Sequence, residues 1–191
     1  MRKAARYLTA ALGLLAACGP TEPAPNPALR QTSYFNLTGF LRELSAQLSR
    51  TQPAVEKQVL LLDGQQETTR VANPDWTKEL QIFQQADIDK PALRGQYLVD
   101  SAATPGGGMR RTYRRRPGVS HPVEQLTVIS QGNQVQQLRA TVAQDNPLVY
   151  SAKRLELNCQ NGQLTTYRVR GVQKLILFDS VQYAVRGVVG L

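Results

Sequence analysis

From about residue 92 onward the chain is a succession of short apolar-rich runs with turn chemistry between them, and this pattern restricts the fold more than any other feature. The runs at about 93–101, 109–116, 123–130, 134–143, 147–158, 163–178 and 181–189 are rich in Val, Thr, Leu and Tyr. TPGGG, RPGVSHP, QGN, DNP, NCQNG and DS separate them, and Gly, Pro, Asn and Asp favour turns. β-branched and aromatic side chains fit a pleated surface. Connections this short join antiparallel neighbours, because parallel strands need a crossover of about a dozen residues or more. Asn161-Gly162 predicts a type I′ turn, which needs positive φ at both central residues. Gly171 is expected to bend or bulge the long run that contains it.

The preceding residues read differently. Leu37, Phe40, Leu41, Leu44 and Leu48 recur at helical spacing, with Asn36 as N-cap and Pro53 beyond the end. VEKQVLLL and QQETTRV are strand-like runs joined by Asp63-Gly64, a hairpin signal. A second helix is expected over NPDWTKELQIFQQAD, capped by Asn73 with Pro74 in its first turn. Trp76, Leu80 and Phe83 then share one face, with Ile82 and Ala86 at its margins. No internal repeat is present. The fold class expected is α+β: two amphipathic helices packed on one face of a large curved antiparallel β-sheet, a meander.

The N-terminus carries an address. Arg2, Lys3 and Arg6 precede a short apolar run from Leu8 to Ala17. About ten residues cannot span a bilayer, which takes about twenty, but they suit a secretory leader. Leu15-Ala16-Ala17-Cys18 resembles the lipobox of bacterial lipoproteins, and n-region, apolar run and lipobox stand in the family's order. The resemblance covers the first 18 residues. It implies a type II signal peptide over 1–17, diacylglycerol on the Cys18 sulfur, cleavage before Cys18 and acylation of the new amino terminus. A single acyl chain anchors only marginally, whereas two or three hold a protein at the membrane. Residues 18–32, with Pro20, Pro23, Pro25 and Pro27, read as an extended tether. At about 3.1 Å per residue such a tether reaches up to about 40 Å. One α+β domain is expected over 33–191. Gly19 stands where many inner-membrane lipoproteins carry Asp. By resemblance to that sorting rule, the anchor is expected in the outer membrane with the domain facing the periplasm. YFNLTGFLRELSAQL and NPDWTKELQIFQQADIDKP resemble uncharacterised bacterial lipoproteins, a likeness that implies no activity.

Losing Arg2, Lys3 and Arg6 takes the formal charge from +9 to +6. With Cys18 acylated, Cys159 is left as the one free thiol and no intramolecular disulfide can form; a lone cysteine of this kind is expected buried and inert. The single histidine, His121, is expected to be a solvated loop residue. One His and one free Cys do not make a zinc site of usual spacing. Asp87 and Asp89 are a weak pair near a helix end, no G-x-S-x-G elbow accompanies His121, and Gly106-Gly107-Gly108 leads into a strand rather than a phosphate-binding helix. No catalytic residue, metal ligand or cofactor is assigned.

The remaining feature is MRRTYRRRP. Strand alternation puts Met109, Arg111, Tyr113 and Arg115 on one side and Arg110, Thr112, Arg114 and Arg116 on the other. Charge on both faces predicts an edge strand or a projecting hairpin, where it also blocks strand-to-strand aggregation. Arg110, Arg111, Arg114, Arg115 and Arg116 are the candidate contact for an anionic partner: an envelope protein, a headgroup or lipopolysaccharide. Nucleic acid does not fit a lipid-anchored envelope protein. The first functional reading is therefore a membrane-anchored lipoprotein with a non-catalytic binding or structural role in the cell envelope. A second is a carrier or sensor of a hydrophobic or lipid ligand held between helices and sheet. The inferred architecture is similar to the incomplete barrels of periplasmic lipoprotein-carrier proteins, and Phe40, Leu44, Trp76, Leu80 and Phe83 would line the pocket. A third, a carboxylate-dependent hydrolase, has no constellation behind it.

Overall fold

Asn36 starts the first helix by side-chain capping: its Oδ1 accepts from Gly39 N at 2.8 Å, satisfying a donor the helix cannot. The computed structural model describes residues 34–60, 64–176 and 179–190. Cys18, the leader and the tether lie outside them, as does Asp63 of the first hairpin turn. Helix α1 (Leu37–Thr51) buries Leu37, Leu41, Leu44 and Leu48, one stripe at helical spacing. It ends at Gln52 in the left-handed region, whose N–H bonds Leu48 O at 2.8 Å before Pro53 stops the chain.

Strands β1 (Val55–Leu60) and β2 (Gln66–Val71) form the expected antiparallel hairpin. The second helix differs from expectation. Asp75, not Asn73, is its N-cap, accepting from Lys78 N at 3.1 Å. Helix α2 (Trp76–Leu80) is short and tightens into a 3-10 turn over Gln81–Ala86. At three residues per turn, side chains three apart eclipse, so Phe83 and Ala86 both turn inward and are fully buried. A second 3-10 turn, Pro91–Leu93, leads to the remaining strands.

These are β3 (Tyr97–Thr104), β4 (Gly108–Arg115), β5 (Val123–Gln131), β6 (Gln134–Asp145), β7 (Val149–Gln160), β8 (Gln163–Leu175) and β9 (Val181–Val189). The domain is α+β and mostly β, with nine antiparallel strands in the order β2-β1-β9-β8-β7-β6-β5-β4-β3. The seven later strands follow one another as the sequence implies. The hairpin is added beside β9, pairing Val55 with Val189. Strands β2 and β3 are thus opposite edges, and the helical segment between them connects one side of the sheet to the other.

Alternation sorts the side chains. Tyr113, Leu126, Ala140, Leu155 and Val169 are successive cross-strand partners from β4 to β8, and all are buried. Val128, Leu138, Leu157 and Tyr167 form a second buried rung. Both belong to one apolar cluster with α1, Trp76, Leu80, Phe83 and Ile88.

Two local expectations are corrected. Strand β4 is not an edge: it pairs with β3 on one side and β5 on the other. Gly171 makes no bulge; it stays in register with Lys153 and Tyr183, and the irregularity of β8 lies instead opposite Asn158/Cys159. The turn at Asn161-Gly162 is as expected, with φ of 53° and 75°.

Candidate functional site

The rungs between the buried ones face the other way, and they are built of arginine. One runs Arg114, Gln125, Thr141, Arg154 and Arg170 across β4 to β8. The next runs Thr112, Thr127, Arg139, Glu156, Arg168 and Arg186 across β4 to β9. With Asp100 and Arg110 these rungs enclose an open groove of about 630 Å³. A neighbouring hollow of about 260 Å³ shares Arg168 and Arg170 and includes Arg186.

The charges on this face are poorly matched. Of the arginines lining the groove, only Arg139 has an acid within ion-pair distance among the described residues, Glu156 at 3.4 Å. Glu156 is also shared with Gln137 Nε2 and Asn158 Nδ2, each at 3.4 Å. Arg154 stands directly opposite Arg170, and Arg168 directly opposite Arg186. Like charges in cross-strand register destabilise a sheet. Thr112, 5% exposed beside Arg110 and Arg114, brings a hydroxyl to the groove lining, which also includes the apolar Ala140 and Leu155.

The five arginines of the sequence motif are therefore divided. Arg110 and Arg114 line the groove. Arg111 lies on the opposite side with Tyr113, where its charge opposes the upward push that burial gives the Tyr113 hydroxyl. Arg115 is tied down: its guanidinium donates to His121 O and sits 3.6 Å from Glu124 Oε1. Arg116 is exposed in the following turn. The other groove arginines were missed because no local cluster marks them. Their signal is alternation, as in the RLE of β7 and the RVR of β8, where charged residues, arginine in three of the four positions, flank a buried Leu or Val.

The residues proposed for an apolar pocket are in the core. Leu44, Trp76, Leu80 and Phe83 are at most 3% exposed, with Phe40 packed against the cluster. Trp76 Nε1 is buried with no hydrogen-bond partner among the described residues.

His121 is not a solvated loop residue. It is half-buried, and its Nδ1 lies 2.7 Å from the Tyr97 hydroxyl, which donates to Val123 O at 2.7 Å. Val123 N also reaches Nδ1, at 3.4 Å, so the donor and acceptor roles at this nitrogen follow the imidazole tautomer. Burial first, then Lys90 and Arg115, lower the His121 pKa against the opposing effect of Asp87. Burial, offset by Arg115, pushes Tyr97 up to about 12. Together with the Arg115 bond to His121 O, the pair fastens the turn after β4. Cys159 is buried as expected, and desolvation pushes its thiol up to about 11, away from the reactive thiolate. Among the described residues no three His, Cys, Asp or Glu side chains are grouped to hold a metal ion, and no helix is long and apolar enough to cross a membrane.

No protein family, curated protein or solved structure matches the chain. The arginine face is the candidate site on physical grounds alone.

Proposed function

We propose that the chain is a lipoprotein of the bacterial cell envelope with a non-catalytic binding role, anchored through Cys18 in the outer membrane and facing the periplasm. Its α-helices cover the apolar face of a curved sheet, and its arginine face is left to meet an anionic partner. The observation that carries this reading is the row of arginines converging on one groove, of which only Arg139 has an acid within ion-pair distance among the described residues, with two like-charged pairs in register. Guanidinium forks suit carboxylate and phosphate, which they bind bidentately. A fold that keeps such charges in opposition gains from an anion that neutralises them.

The anchor is tested by Cys18→Ala. The variant is expected to leave the membrane fraction and to lose acyl labelling. Continued membrane association without acylation would remove the lipoprotein reading, while leaving the charge of the groove as it is.

A further inference from the structure

We infer that the groove binds a segment of an extended anionic glycan, carrying its carboxylates or phosphates on the arginines and its hydroxyls on the threonines and amides between them. This rests on the binding role proposed above and names the ligand class for that site. The groove runs across the strands: Arg114 on β4 and Arg170 on β8 are four strand spacings apart, about 19 Å. Along β8, Arg168 and Arg170 point to the same side about 7 Å apart. The positive charge is therefore distributed along a line, which suits a chain with repeated anionic groups better than one compact anion.

The residues between the arginines decide the rest. Thr127, Thr141, Gln125 and Glu156 line the groove with donors and acceptors at the spacing of the rungs, and these match a hydroxyl-rich ligand. No aromatic side chain is among the groove's lining residues. Single-stranded nucleic acid depends on aromatic platforms for its bases, and protein interfaces combine arginine with buried Trp and Tyr anchors, for which this groove has no counterpart of its own. A bilayer presents a broad surface, whereas this volume is that of a pocket for a discrete ligand segment. An anionic sugar polymer offers carboxylates or phosphates to the guanidinium forks and hydroxyls to the residues between them, without a flat docking plane.

The test is isothermal titration calorimetry of the full-length protein in detergent with a hexameric oligomannuronate. Neutral cellohexaose, phosphatidylglycerol in mixed detergent micelles and an oligothymidylate serve as comparison probes. Binding of the oligouronate is expected, weakening as salt rises, with no heat from cellohexaose. Arg154→Gln with Arg170→Gln is expected to weaken it at least about tenfold, the worth of charged hydrogen bonds at two sites. Arg116→Gln, outside the groove, should leave it unchanged. Thermal denaturation of each variant establishes that the fold survives. Phosphatidylglycerol or oligothymidylate binding lost in the double variant, with no oligouronate binding, would overturn the glycan and keep the anionic site. Indifference of every probe to Arg154 and Arg170 would overturn the site itself.

Discussion

Glu79 holds α2 to two distant strands at once. Its Oε2 is 2.5 Å from Lys57 Nζ on β1, and its Oε1 accepts from the Tyr167 hydroxyl on β8. Burial, reinforced by this acceptor, keeps the Tyr167 hydroxyl protonated well above the usual tyrosine range. The carboxylate is only 15% exposed, so water replaces little of what its removal would lose. Glu79→Gln is expected to cost about 1–3 kcal/mol, and thermal denaturation should show a midpoint several degrees lower. An unchanged midpoint would mean that the two bonds only break even against desolvation. Nothing in WTKELQIF identifies Glu79 among the surface acids, because its partners come from residues 22 positions before it and 88 after it. Tyr34 acts similarly: its N–H donates to Asp89 Oδ1 at 3.0 Å, and its hydroxyl accepts from Tyr97 N at 3.0 Å. Its ring meets Tyr97 and Tyr113 edge-on, which fixes where the chain enters the domain.

Strands β8 and β9 show why their glycines are there. Gly187 is the cross-strand partner of Tyr167, and Gly171 that of Tyr183. In each pair the tyrosine ring lies over the glycine where a Cβ would stand. The expectation that Gly171 bends the strand treated the residue alone, whereas close approach by a neighbouring side chain needs glycine equally. Gly187→Ala is expected to displace the Tyr167 ring and loosen its bond to Glu79, costing about 1–3 kcal/mol as an overpacked core site does. Urea denaturation should give a lower midpoint with an unchanged slope. Strand β4 holds a similar lesson. Its arginines suggested an edge, but Arg110 and Arg114 face the groove, Arg111 is exposed, and Arg115 is fastened to the next turn. Thr112 and Tyr113 then supply the buried contacts an interior strand requires.

Across the whole sheet, the arginine face retains a repulsion that the apolar face must outweigh. Arg154→Gln with Arg170→Gln removes one of the two like-charged pairs and is expected to raise the thermal midpoint at low salt, the relieved pair contributing up to about 1 kcal/mol. The gain should fade as added salt screens the charges; a loss of stability would mean that these arginines act as struts. A raised midpoint would mean that the residues placed to bind an anion are also ones that cost the fold stability, as at many binding surfaces. The sequence by itself determined the elements: leucine spacing predicts α1, and seven strand runs with short turns predict an antiparallel succession, because local sterics and periodicity act over a few residues. It also marks Leu44, Trp76, Leu80 and Phe83 as apolar, without saying whether they line a pocket or fill a core. Only the tertiary structure decided that β1 joins β9, that Glu79 bridges two strands, and that arginines from β4, β6, β7, β8 and β9 share one face. Those juxtapositions depend on register between strands far apart in the chain, and a one-residue slip would turn every such arginine to the opposite side.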